Sequence, residues 1–195
     1  MSAPRCDTAV IGCSAGGLKA LQTLIPDLRG DLAAPVIVVC HTSGNIGTLC
    51  ELIGRNAALP VREARERMRA APGVVYVAPA DYHLLLEHGL REHDLRFALS
   101  VDPRVTYARP SIDVLFESAA NACGPRLLGV ILTGGNHDGA AGLKRIRDAG
   151  GIGIVQRPES AEAASMPAAA LALAGADHCV TLAEIGPLLN TLCMP

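Results

Sequence analysis

Three residues capable of acyl-transfer chemistry, far apart in sequence, each stand just past a run of apolar, strand-forming residues. Ser14 lies in Gly12-Cys13-Ser14-Ala15-Gly16-Gly17, directly after Thr8-Ala9-Val10-Ile11. His41 follows Val36-Ile37-Val38-Val39-Cys40. Asp138 lies in Thr133-Gly134-Gly135-Asn136-His137-Asp138-Gly139, after Leu127-Leu128-Gly129-Val130-Ile131-Leu132. Serine, histidine and aspartate are the parts of a hydrolytic triad, in which the imidazole takes the hydroxyl proton and the carboxylate fixes the ring's tautomer. A serine on a glycine-flanked strand-to-helix turn presents its hydroxyl beside free backbone amides, which suits a nucleophile and equally suits a bound phosphate.

The elements that would bring these residues together follow from the hydrophobic pattern. Val36–Val39 and Leu127–Leu132 are continuous apolar runs of the kind buried on both faces of a parallel sheet. Helical spacing runs from Ile46 to Asn56, through Asp113-Val114-Leu115-Phe116 behind Ser111 as a capping residue, and from Ala140 to Ala149. A strand over Gly151–Val155, a helix after Pro167, a short strand near Cys179-Val180 and a terminal helix from about Leu182 complete the pattern. Val74–Val77 and Leu84–Leu86, separated by Ala78-Pro79-Ala80-Asp81, predict a hairpin, with Leu95–Leu99 as a third antiparallel strand. The expected fold is α/β: a mostly parallel, doubly wound sheet flanked by helices, with an antiparallel hairpin insertion. Ligands of such sheets bind beyond the carboxyl ends of the strands, where Ser14, His41 and Asp138 all fall.

The bulk composition agrees with one soluble domain over residues 1–195. Half of the residues are apolar, only 3% are aromatic, and the formal net charge is −2, with no basic track for nucleic acid. The stretch Arg62–Arg69 interleaves acids with arginines and reads as a solvated face, with a docking patch for an acidic partner as the other reading. Seven cysteines without a CxxC pair or a secretory leader suggest a reducing, cytoplasmic setting, with Cys13, Cys40 and Cys179, in or beside apolar runs, expected as small buried hydrophobes. No apolar run is long enough for membrane insertion.

Two other chemistries share these motifs. Gly12-x-Ser14-x-x-Gly17 is a dinucleotide fingerprint with its middle glycine replaced, but the second strand ends in Cys40-His41 rather than in an acid for the ribose. Gly12-x-Ser14-x-Gly16 also matches a nucleophile elbow, and Ser14, Asp138 and His178 give the α/β-hydrolase order. Against that, the elbow sits on the first strand, and His178 stands at the start of a late one. Taken singly, His41 reads as a hydrogen-bonded structural residue and Asp138 as a helix cap. His83, His88 and His93 lack metal-ligand spacing, so no metal is expected.

Several ordered blocks together resemble the catalytic domain of the CheB-type chemotaxis protein-glutamate methylesterases over nearly the whole chain. Val10–Gly17 looks like that family's serine loop, His41 its histidine strand, and Leu132–Ala140 its aspartate loop. Pro72–His83, Arg109-Pro110-Ser111-Ile112-Asp113-Val114-Leu115-Phe116 and Ser165-Met166-Pro167 match further blocks. The resemblance implies Ser14 as nucleophile, His41 as general base and then acid, and Asp138 as the orienting carboxylate. It also implies an oxyanion amide at Gly135, to which the amide of Ala15 is added here as a second candidate. The implied reaction is hydrolysis of glutamate γ-methyl esters on a chemoreceptor's helical signalling region, releasing methanol, with deamidation of receptor glutamines as a related activity and no cofactor. A non-catalytic module of the same fold, docking on a receptor or signalling partner, is the alternative.

The chain departs from the family pattern in the wall of the site. Ala15 replaces the usual threonine, Gly134-Gly135-Asn136 replaces Gly-Met-Gly, Thr42-Ser43 replaces Met-Pro, and Ser165 replaces a glycine. The first strand begins so early that no amino-terminal receiver domain is expected, which leaves regulation to a separate protein if there is any.

Overall fold

Strands and helices alternate through the computed structural model, which describes residues 6–42, 44–89 and 94–193. In chain order they are β1 (Thr8–Cys13), α1 (Gly17–Leu24), β2 (Val36–Cys40), α2 (Ile46–Gly54), β3 (Val61–Glu63), β4 (Val75–Val77), β5 (His83–His88) and β6 (Leu95–Ser100). Then come α3 (Ile112–Cys123), β7 (Leu127–Ile131), α4 (Ala140–Asp148), β8 (Ile152–Gln156), α5 (Ser165–Ala174), β9 (His178–Val180) and α6 (Leu182–Leu192). Seven strands form one sheet in the order β3-β4-β2-β1-β7-β8-β9, and every pairing in it is parallel.

Every residue of β1, β2 and β7 is buried, as continuous apolar strands require when helices cover both faces. Alternation along each strand divides the core in two. Ile11, Val38 and Val130 face Leu21, Leu24, Ile53, Ile185 and Leu189 of α1, α2 and α6. Val10, Ile37 and Ile131 face Phe116, Leu143 and Ala170 of α3, α4 and α5, together with Leu86 and Phe97 of β5 and β6. Burial of each such leucine or isoleucine contributes about 1.5–3 kcal/mol. From the central β1 the chain builds outward through β2, then returns to the other side of β1 with β7. The helices therefore change faces at β1, and a crevice opens between diverging connections at the strands' carboxyl ends.

The expected doubly wound fold is present, but its antiparallel part differs from expectation. Val75-Tyr76-Val77 is not one arm of a hairpin: it is β4 of the main sheet, parallel to β2 and β3. The hairpin is β5 with β6, in register from His83↔Ser100 to His88↔Leu95. The physical reason is burial. All three residues of β4 are covered on both faces, whereas β5 alternates, with Leu84 and Leu86 inward against Phe97. Tyr76 joins the two units through an edge-on contact with Phe97, 4.9 Å between ring centroids. Val61-Arg62-Glu63 forms edge strand β3, hidden in sequence by the neighbouring charges. Beyond it, Arg65, Glu66, Arg67 and Arg69 are exposed, as a solvated face requires. Among the described residues no helix is long and apolar enough to cross a membrane.

Candidate active site

The serine turn is built by close contacts that only glycines permit. Ser14 leaves β1 with its N–H donating to the Thr133 carbonyl (2.9 Å), and its own carbonyl accepts from Gly17 N (2.8 Å), closing the turn into α1. Gly16 takes φ 77°, a left-handed conformation that costs side-chain-bearing residues strain. Gly12 lies under the start of α3, where a Cβ would come within 2.4 Å of Ile112 Cγ2. The Thr133 hydroxyl donates to the Ala15 carbonyl (2.8 Å) and accepts from Ala163 N (2.8 Å), tying the serine turn to the loop after β7.

Strand register brings the histidine alongside. Cys13 and Cys40 are paired residues of β1 and β2, and His41 N donates to the Cys13 carbonyl (3.0 Å). Ser14 and His41 are thus the next residues on neighbouring strands, which run about 4.8 Å apart. Both line one cleft of about 490 Å³, bordered by Leu18, Leu49 and Leu52. His41 also lines a second cleft of about 540 Å³, bordered by Arg104, Tyr107, Arg109 and Asn136.

The aspartate reaches the same point from the loop after β7. His41 Nε2 lies 2.9 Å from Asp138 Oδ2. The approach is close enough for an ion pair, although the ring N–H is not directed along it and has no aligned acceptor. Asp138 is fully buried and accepts three hydrogen bonds: from the Ser111 hydroxyl (2.8 Å), Ile112 N (2.7 Å) and Asp113 N (3.1 Å). Burial alone would raise its pKa. The His41 contact and the three donors outweigh burial and hold the carboxyl below its ordinary range, so it is an anion at neutral pH.

This geometry corrects two local readings. Asp138 does not cap the helix that follows it, since Gly139 holds that position for α4. It caps α3 instead, the neighbouring helix on the same face of the sheet, with its charge at the positive end of that helix. Ser111 occupies the N-cap position of α3 but makes no capping bond there; its hydroxyl goes to Asp138.

Sequence reasoning missed a second tier of positioning residues. The buried His83 accepts from Ser111 N at Nδ1 (3.2 Å) and has Nε2 3.0 Å from the Pro103 carbonyl, which defines it as the Nε2–H tautomer. The chain His83–Ser111–Asp138–His41 therefore links β5, α3, the β7 loop and β2. Its sequence trace was the Arg109–Phe116 block, whose serine faced the wrong neighbour in the reading from spacing alone. Asp113, also buried, accepts from Gly142 N (2.7 Å), and desolvation pushes its pKa up to about 6.

Ala15, in the serine turn, and Gly135, in the aspartate loop, are exposed residues, and no described residue accepts from either N–H. The Gly134 amide is already committed to the Ala163 carbonyl (3.0 Å). Met166, of the late Met-Pro element, packs beneath Gly134. His178 opens β9, separated from β1 by β7 and β8, so the structure does not bring it to Ser14 as the α/β-hydrolase order needs. His83 is a structural histidine, His88 an exposed one, and His93 lies outside the described residues. Among the described residues no group of His, Cys, Asp and Glu is placed to hold a metal.

The same arrangement of blocks occurs in known proteins. Residues 9–189 match the sequence profile of the CheB methylesterase family. A putative protein-glutamate methylesterase/protein-glutamine glutaminase of Leptospira interrogans is 40% identical over 187 residues, covering 95% of this chain and 94% of that protein. A protein-glutamate methylesterase/protein-glutamine glutaminase of Geobacter metallireducens is 39% identical over 191 residues, covering 97% of this chain but 54% of that protein. The crystal structure of the Thermotoga maritima CheB methylesterase catalytic domain superposes with a TM-score of 0.91 at 30% identity, covering 96% of this chain and 98% of that one. With serine, histidine and aspartate loops on one carboxyl edge and the match running almost end to end, the chain belongs to the CheB methylesterase family.

Proposed function

We propose that this chain is a serine hydrolase that removes methyl groups from glutamate γ-methyl esters of chemoreceptors, with Ser14 as nucleophile, His41 as general base and acid, and Asp138 as the orienting anion. The observation that carries this reading is the buried Asp138 carboxylate, held by three hydrogen-bond donors and set 2.9 Å from His41 Nε2 beside the serine turn. With the carboxylate at Nε2, Nδ1 is the ring nitrogen left to take the Ser14 proton. The alkoxide attacks the ester carbonyl, and the Ala15 and Gly135 amides are the donors available to the oxyanion. His41 then protonates the departing methoxide and activates water to release the acid. The same acyl-enzyme serves a glutamine substrate with ammonia leaving, which fits the paired names of the relatives.

The site's place at an open edge, between two clefts that share His41, suits a side chain presented from a receptor's helical surface. Seven free thiols fit a cytoplasmic setting, and we read residues 1–195 as one catalytic unit. The test is methanol release from a purified, methylated receptor signalling fragment. Release above the level given by Ser14→Ala supports the reading. Receptor binding without turnover would replace it with the non-catalytic module.

A further inference from the structure

The residues immediately before Ser14 and His41 are both cysteines, and they face each other. Cys13 and Cys40 are register partners on adjacent parallel strands, so their Cα atoms are about 4.8 Å apart, inside the range of roughly 4.4–6.8 Å that a disulfide spans. Their side chains share the face covered by α1. A Cβ placed on Gly17 would lie 2.7 Å from Cys13 Sγ and 3.2 Å from Cys40 Sγ, so both sulfurs crowd the same point beneath the helix start. All seven cysteines are free thiols in this structure, and Cys179, expected to be buried, is exposed because β9 is an edge strand.

The two thiols differ in access. Cys13 is fully buried, whereas Cys40 keeps 6% exposure and borders both clefts that contain His41. The Cys13 thiol is held well above its ordinary range, first by its hydrogen bond to Cys40 and then by burial. Cys40 is lowered by the same bond against the opposing effect of burial. The sulfur that a small oxidant can reach therefore has a second sulfur directly behind it.

We propose that Cys40 and Cys13 form a peroxide-reactive pair whose oxidation to a disulfide switches off the adjacent Ser14–His41 site; the switching half of this rests on the catalytic reading above. The Cys40 thiolate attacks the peroxide, an S–O bond forms, the O–O bond breaks and hydroxide leaves, taking up a proton to become water. The Cys13 sulfur then attacks Cys40, the S–S bond forms, the S–O bond breaks, and the second oxygen departs as water with the Cys13 proton. Two thiols lose two electrons, and one hydrogen peroxide becomes two waters. Bridging draws the Cβ atoms to about 3.8 Å. That movement pulls on the Cys13 carbonyl that holds His41 N, and on the Gly17 contact that closes the serine turn.

The experiment treats the full chain with hydrogen peroxide and maps its peptides by mass spectrometry before and after dithiothreitol. A Cys13–Cys40 cross-link, lighter by two hydrogens and reversed by the reductant, is the expected result. Methanol release should fall at least tenfold and recover in parallel. Cys13→Ala should form no cross-link and instead accumulate a Cys40 sulfenic acid trapped by dimedone; Cys13→Ser serves if the alanine variant does not fold. Cross-linking only elsewhere, such as Cys6 with Cys193, or an unmodified Cys40, would overturn the pair. A Cys13–Cys40 cross-link that leaves turnover unchanged would overturn the switch. A cross-link in a chain that never releases methanol would instead refute the catalytic reading and leave the pair standing.

Discussion

Removing the Ser111 hydroxyl should weaken the anion that holds His41 while leaving the fold in place. Ser111 and Asp138 are fully buried, and the bond between them is 2.8 Å. A hydrogen bond to a charged group contributes about 1.5–3 kcal/mol. Ser111→Ala removes it from the ionised form of Asp138, which lets the folded pKa rise toward the ordinary carboxyl value. Because Asp138 is depressed in the folded state, its contribution to stability is present above the unfolded carboxyl value and is lost as pH falls through the folded one. The variant should therefore be about 1.5–3 kcal/mol less stable at pH 7. The gap should close only as pH falls through the folded pKa of Asp138, below the ordinary carboxylate range, where the carboxyl protonates. Urea unfolding from pH 7 downward reads this directly. Ile112 N and Asp113 N still hold the carboxylate, so kcat should fall by no more than about tenfold to a hundredfold, the full bond energy carried into the barrier. A stability gap independent of pH, or no gap at pH 7, would refute the role given to Ser111.

Other perturbations separate the parts of the site. Asp138→Asn turns an amide donor toward hydrogen-bond donors that need an acceptor; kcat should fall by about 10⁴, with stability lower by about 1–3 kcal/mol in urea unfolding. Asp113→Asn should act in the opposite sense. A buried carboxyl raised to about 6 makes the native state bind more protons than the unfolded chain between about pH 4 and 6, so stability falls as pH rises through that window. The amide keeps the acceptor for Gly142 N, and the variant should gain up to about 3 kcal/mol at pH 7 and nothing below pH 4, by the same unfolding assay. Gly134→Ala drives a Cβ to 2.6 Å from Met166 and should cost about 1–3 kcal/mol. Gly135→Ala meets nothing within 4 Å and should change stability by no more than about 0.5 kcal/mol, which thermal melts of the two variants will compare.

The sheet was legible because its strands are buried on both faces: Val36–Cys40 and Leu127–Ile131 have no polar interruption, and doubly wound topology then collects their carboxyl ends. Short strands were less so. Val61-Arg62-Glu63 carries two charges because an edge strand exposes one side to water, so its pattern resembles a loop. Val75-Tyr76-Val77 was visible as a strand, but three residues do not say which neighbour they pair with, and a turn cluster beside them suggested the wrong one. At the site, strand ends and turn chemistry were enough to nominate Ser14, His41 and Asp138. They could not show that the Asp138 carboxylate caps α3, or that His83 fixes Ser111, because both contacts join segments brought together only by the fold, 25 or more residues apart. A capping serine and a lone histidine look the same in sequence whether they serve their own helix or a distant anion.

The central claim is that Ser14 is activated by His41, and turnover of a methylated receptor by single-residue variants tests it most directly. Ser14→Ala and His41→Ala should each lower kcat for methanol release by at least about 10⁴, since nucleophile and base act as one unit. His178→Ala, on the far edge of the sheet, should stay within about twofold of the parent, the scatter expected of a substitution away from the site. Turnover surviving in Ser14→Ala, or lost in His178→Ala with His41→Ala intact, would contradict it.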